Sequence, residues 1–168
     1  MISFLQAREI AENIIQSQHY RMDDKLIIVD NQIIEKPYEW IFPYTSKRWL
    51  EGDFNYAIAG NGPLFIDKLD GRVSTFRTGL SVEGMIDAYE EQNKAWSLRI
   101  STAIYSDVEK LHALKAHLNL EQKEITTLKS KNIDVVCTGC RTRLNRLAAL
   151  LGTSEITSEI VLTGANLH

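Results

Sequence analysis

Leu64-Phe65-Ile66-Asp67-Lys68-Leu69-Asp70-Gly71-Arg72-Val73-Ser74-Thr75-Phe76 contains the turn from which the first half of the chain is read. Apolar and β-branched runs flank Asp70-Gly71, the pairing expected of a tight antiparallel hairpin. Upstream, Ala59-Gly60-Asn61-Gly62-Pro63 is a turn by composition. Before it stands Trp40-Ile41-Phe42-Pro43-Tyr44, an aromatic strand whose Pro43 lacks a backbone donor and therefore belongs at an edge or bulge. Alternation puts Trp40, Phe42 and Tyr44 on one face, as core. Leu26-Ile27-Ile28-Val29 is a further strand, with Asp30-Asn31 as a turn and Ile33-Ile34 as a short return.

Helices bracket these strands. Ser3 with Gln6 forms a capping-box pattern. Leu5, Ala7, Ile10, Ala11 and Ile14 then recur at helical spacing, which predicts an amphipathic helix over about Phe4 to Ser17. His19 to Asp24 is a polar break. Ser81 is positioned to cap a second helix carrying Met85, Ile86 and Tyr89. The first half thus reads as a helix, an antiparallel sheet of about five strands and a second helix, the α+β class.

The charged, amide-rich run Glu90 to Lys94 is the expected boundary, between a domain over 1–93 and a smaller one over 97–168. Leu98, Ile100 and Ile104 share one face of a strand, with Arg99 and Ser101 opposite. Val108, Leu111, Leu114 and Leu118 make a helical stripe. Asn119 with Gln122 reads as the cap of another helix carrying Ile125 and Leu128. Ile133 to Cys137 is a strand, Leu144, Leu147 and Leu151 stripe a helix with Gly152 suited to its C-cap, and Ile156 to Leu162 is a last strand. The order is β-α-α-β-α-β.

Composition excludes several classes. With 44% apolar and 24% charged residues the chain is neither disordered nor fibrous. Its apolar runs are too short to span a bilayer, and Arg8, Glu9 and Glu12 interrupt any leader, so the expectation is a cytoplasmic protein. Residues 1–93 carry 9 Lys+Arg and 15 Asp+Glu, a net −6; residues 94–168 carry 10 and 7, a net +3. The acidic half either attracts a basic partner or simply keeps the chain soluble.

No convergent catalytic set is apparent, and no cofactor is expected. The Gly60 loop lacks the Lys-Ser/Thr and following helix of a phosphate cradle. Cys137-Thr138-Gly139-Cys140 lacks a thioredoxin-like context, and one pair cannot complete a zinc site, so both cysteines read as structural. His19, His112, His117 and His168 show no ligand spacing, so no metal is assigned. Two groups suit partner contact. Trp49 and Phe54 lie among Lys47, Arg48, Glu51 and Asp53, a polar setting typical of a surface anchor, although packing of that loop over the sheet is the plainer reading. Arg141, Arg143 and Arg146 crowd a helix start, where cations oppose the dipole. An anion, an acidic partner, the acidic first half or solvent could relieve them.

An ordered set of segments carries a resemblance. Asp24 precedes the Leu26–Val29 strand. Glu35-Lys36-Pro37-Tyr38-Glu39-Trp40-Ile41-Phe42-Pro43-Tyr44 follows, then Trp49-Leu50-Glu51-Gly52-Asp53-Phe54, Ala57-Ile58-Ala59-Gly60-Asn61-Gly62-Pro63 and the Asp67 to Gly71 hairpin. In this order residues 2 to about 92 resemble the immunity protein 35 family of bacterial polymorphic-toxin systems. Glu39 departs from the glycine usual there, and Trp49 from a frequent tyrosine. Residues 97–162 resemble more weakly the C-terminal domain of the bacterial ribosomal stalk protein, by element order and by Leu118-Asn119-Leu120-Glu121-Gln122-Lys123-Glu124-Ile125. What the first resemblance implies is a non-catalytic protein that binds and neutralises a cognate toxin encoded nearby. Trp49, Glu51, Asp53, Phe54, Arg141, Arg143 and Arg146 are then candidate contacts. A chaperone-like or adaptor module is the alternative. No nucleic acid or membrane is implied as a partner, and an open sheet edge would allow a homodimer.

Overall fold

The structure, a computed structural model, describes residues 1–18, 21, 23–76 and 78–163. It is α+β, with antiparallel sheets and packed helices. Two compact units divide the chain between Met85 and Ile86. Part of the expected polar break, including His19, lies outside the described residues, as does His168.

The first unit opens with helix α1, Phe4–Ser17, whose capping box closes as expected: Ser3 Oγ accepts from Gln6 N–H and the Gln6 side chain accepts from Ser3 N–H at 2.8 Å. Its buried stripe is Ala7, Ala11 and Ile15, while Leu5 points to solvent. The small alanines let the helix lie close on the sheet. The strands are β1 (Leu26–Ile28), β2 (Ile34–Glu35), β3 (Glu39–Phe42), β4 (Tyr44–Ser46), β5 (Leu64–Asp67) and β6 (Val73–Ser74). Short helix α2, Lys47–Leu50, follows β4. The order β2-β3-β5-β6 makes one sheet and β1-β4 a second.

The hairpin expected at Asp30-Asn31 does not form. Asp30–Gln32 is a 3-10 turn inserted into a longer hairpin. Residues 26–28 pair with 46–44 in one register, and 34–35 with 41–40 in a register offset by the three residues of that turn. Pro43 sits at the matching break between β3 and β4, its carbonyl accepting from Val29 N–H at 2.9 Å. The Asp70-Gly71 hairpin does form, with Ile66 opposite Val73 and Gly71 at φ +75°.

Phe42 is fully buried, with Trp40 and Tyr44 packed around it, so that strand face is core as expected. Ala7, Ala11, Ile15, Ile28, Leu64 and Ile66 complete the cluster, and Phe4 meets Trp40 edge-on at 5.0 Å. The opposite face buries Ile41 and Phe65, the latter against Phe76 at 4.8 Å. Each fully buried Ile, Leu or Phe side chain among these contributes about 1.5–3 kcal/mol.

Helix α3, Val82–Asn93, is capped by Ser81 Oγ, which accepts from Gly84 N–H at 3.1 Å. Lys94, at φ 49°, ends it. The second unit then runs β7 (Trp96–Ile100), a 3-10 turn (Thr102–Ser106), α4 (Val108–Leu118), α5 (Gln122–Ser130), β8 (Val135–Gly139), α6 (Arg141–Gly152) and β9 (Ser158–Leu162). β7 is central between antiparallel β8 and β9. Leu98, Ile100, Leu114, Leu144, Leu151 and Ile156 are buried. Three details depart from the sequence reading. Ile104 lies in the 3-10 turn rather than on the strand. Asn119 ends α4 in the left-handed region, and α5 is capped instead by a box between Glu121 and Glu124. Gly152 closes α6 from within, and Thr153 follows as C-cap. Among the described residues no helix is long and apolar enough to cross a membrane.

Candidate functional site

The segment 46–56 is assembled from caps and turns. Ser46 Oγ accepts from Trp49 N–H at 3.0 Å and starts α2. Gly52, at φ +100°, reverses the chain, and Asp53 N–H donates to the Arg48 carbonyl at 2.9 Å. Asp53 then caps the 3-10 turn Phe54–Tyr56 by accepting from Asn55 N–H at 3.2 Å. Such a path leaves apolar side chains without a core to enter. Phe54 is 82% exposed, Leu50 46% and Trp49 40%. Glu51 is exposed and pairs with Lys47 at 3.5 Å.

Arg48 holds the segment together. Its guanidinium donates to Asp23 at 3.1 Å, to the Tyr56 hydroxyl at 2.7 Å and to Asp53 at 3.1 Å, and lies 4.1 Å from the Tyr56 ring centroid. Its amide donates to Asp24 at 3.2 Å. The Tyr56 hydroxyl donates to Asp23, and this bond holds the Asp23 carboxyl below its ordinary range. Burial works to raise Asp24, but bonds from Ser46 Oγ and from the Lys25 and Arg48 amides outweigh it, leaving that carboxyl lowered too. Of the candidates in this segment, Trp49, Glu51 and Phe54 face solvent, whereas Asp53 is half-buried and spent on internal ties. Leu50, Arg48, Tyr56 and Asp23 were not singled out from sequence. The Asp23-Asp24 pair just ahead of a strand, with Arg48 beyond it, was the available signal.

The arginines at the α6 start meet an internal answer to the helix dipole. Glu91 accepts from Cys140 N–H at 2.8 Å and Glu90 from Arg141 N–H at 2.7 Å, so two carboxylates of α3 serve the terminus. Arg143 pairs with Glu91 at 2.9 Å and also donates to the Thr138 carbonyl at 2.5 Å and to Cys137 Sγ at 3.2 Å. The Arg141 guanidinium lies 4.6 Å from the Trp96 ring centroid. Arg146 is exposed.

The remaining motifs do structural work. Asn61 donates to the Tyr44 carbonyl at 2.6 Å, a tie across the fold rather than within its own turn. Burial pushes the Cys140 thiol up, opposite to the effect expected of a helix start. His117 bonds Ser154 at 2.9 Å. Among the described residues no group of three or more His, Cys, Asp or Glu could hold a metal.

Residues 6–84 match the family model described as immunity protein 35. No curated protein and no solved structure matches the chain.

Proposed function

We propose, taking as premise that residues 6–84 carry the immunity protein 35 pattern, that the chain is a non-catalytic bacterial immunity protein that binds and neutralises a cognate toxin in the cytoplasm. The family match is the observation that carries this reading. The proposed contact surface is the α2 segment. Trp49, Leu50 and Phe54 supply apolar area that the fold leaves in water. Large side chains ringed by polar residues are the usual anchors of tight interfaces. Glu51 lies beside them as a rim carboxylate and suits a basic site on the toxin, where it would act mainly on the association rate. Arg146 is a second candidate, exposed on the other unit. Inhibition by occlusion needs shape and charge complementarity and no chemistry from this chain.

The test is co-purification and titration against the product of the adjacent gene, with growth rescue as the biological readout. Tight one-to-one binding with rescue is expected. Phe54→Ala should weaken it about tenfold or more, the scale of an anchor residue, and Glu51→Gln should slow association with little change in dissociation. Absence of binding and rescue, with weak capture of many unrelated proteins, would replace immunity by an adaptor or chaperone role.

A further inference from the structure

Between Ser46 and Tyr56 the contact segment has little regular structure of its own. α2 has 4 residues, less than the length at which helical hydrogen bonds repay nucleation. Phe54 is 82% exposed, and Leu50 at 46% and Trp49 at 40% are only partly covered, so the burial that anchors the segment is concentrated at its two ends, at Ser46 and Tyr56. Ser46 ties the start of the segment to Asp24 and Trp49, and the polar bonds that span the rest of it converge on one side chain. Through its guanidinium Arg48 reaches Asp23 ahead of the sheet, and Asp53 and Tyr56 beyond the Gly52 reversal. Through its main chain it donates to Asp24 and accepts from Asp53 N–H. Both ends of the exposed segment are thereby tied to the residues just before β1.

We propose that Arg48 is the positioning residue of this segment, presenting Trp49, Leu50 and Phe54 in one fixed geometry before any partner arrives. The role rests on the contact reading above for its consequence in binding, but not for its effect on the free protein. Each ion pair is partly exposed and by itself contributes little to global stability. Their joint effect is order. A segment already fixed loses less freedom on association, because each rotamer-rich side chain left loose must be immobilised when it is bound. Lysine cannot substitute, because a single ammonium lacks the planar fork that serves Asp23, Asp53 and the Tyr56 hydroxyl together.

The experiment is residue-resolved hydrogen exchange on the full chain, wild type beside Arg48→Met and Arg48→Lys, followed by titration with the adjacent-gene toxin. In Arg48→Met the amides of Glu51, Gly52, Asp53 and Tyr56 should exchange about tenfold faster or more, on the scale of a lost local opening barrier. Those of the β3–β5 ladder should keep their protection. Toxin affinity should fall about tenfold, the equivalent of one or two immobilised side chains. Arg48→Lys should restore the charge without restoring protection. Unchanged exchange at these amides would overturn the proposal, as would full rescue by lysine. Faster exchange with unchanged affinity would keep Arg48 as the positioning residue and remove this segment from the contact surface. Should the methionine variant fail to fold, Asp53→Asn cuts one arm of the same network and reads the same amides.

Discussion

At the scale of single residues, a tight fit and an open position predict different costs for the same change. Gly139 sits at φ +147° where β8 hands over to α6, and an added Cβ would collide with the Arg143 guanidinium and the Glu91 carboxylate. Gly139→Ala must therefore strain the backbone and push the ends of the Arg143 and Glu91 side chains aside, disturbing the pair that serves the α6 terminus. We expect it to cost about 1–3 kcal/mol from the backbone conformation, with a further loss from the displaced pair. Gly60, at φ +87°, has nothing within 4 Å of the position of a Cβ. There alanine should cost only the left-handed penalty, about 1 kcal/mol. Urea unfolding of both variants checks the contrast, and equal losses would remove the steric account of Gly139. Sequence could single out Trp49 and Phe54 because their polar neighbours are adjacent in the chain, but packing of their loop over the sheet is its plainer reading, and Phe54 is 82% exposed instead. Sequence missed Arg48 as a hub because Asp23 lies 25 residues away from it. The partners of the α6 arginines, Glu90 and Glu91, are about fifty residues away. Electrostatic partners at such separations leave no local pattern.

Elements that close on themselves were legible, and those that depend on a distant partner were not. The helix over Phe4–Ser17 and its capping box involve residues three and four apart, so sequence spacing is the whole of the information. The Asp70-Gly71 hairpin is equally local. The run Leu26 to Glu35 is different. Asp30-Asn31 has turn chemistry, and it does turn, but as a 3-10 insertion in a strand whose partner lies beyond Pro37. Asn119 likewise satisfies two local patterns, cap of the next helix and left-handed stop of the last one. The second prevails because Leu120 N–H reaches back to the Lys115 carbonyl at 3.0 Å. The insertion can be tested as an element. Removing Asp30, Asn31 and Gln32 would make Val29 and Ile33 neighbours. Ile28 would stay opposite Tyr44 and Ile34 opposite Ile41, with face alternation preserved. The deletion loses the exposed Arg8–Asp30 pair, 2.5 Å, worth about 0–1 kcal/mol. We expect a cooperative unfolding transition displaced by no more than about that amount. Loss of the transition would mean that the turn is required to set the register.

Across the whole chain, the charge balance of each part depends on where within Val82–Asn93 the chain is divided. Counted at the observed division, residues 1–85 carry 9 Lys+Arg and 12 Asp+Glu, a net −3, and residues 86–168 carry 10 and 10, a net of zero. Asp87, Glu90 and Glu91 account for the change, and the two glutamates are those that serve the α6 terminus. Counted this way the acidic excess of the first unit is halved, so the positions of individual carboxylates say more than the total about how a basic partner would be met. Those carboxylates also set the acid limit of the fold. Asp23 is lowered by its bond from Tyr56, and Asp134 by its bond from Arg99. Asp24 and Glu91 are lowered although burial opposes it. A lowered carboxyl binds fewer protons in the folded chain than in the unfolded one. Its contribution is therefore complete above the ordinary carboxylate range of about 4, and is lost as pH falls through the lower folded value. Both units hold such groups, so both should loosen together. We expect the melting temperature to fall between pH 5 and pH 2.5, with exchange rising at Asp53 and Tyr56 in one unit and at Cys140 and Arg141 in the other. Asp23→Asn should flatten the first response and leave the second, because the two sets of bonds share no partner. A melting temperature that rises on acidification would reverse the sign of the argument, and would mean that repulsion among the carboxylates outweighs the bonds they accept.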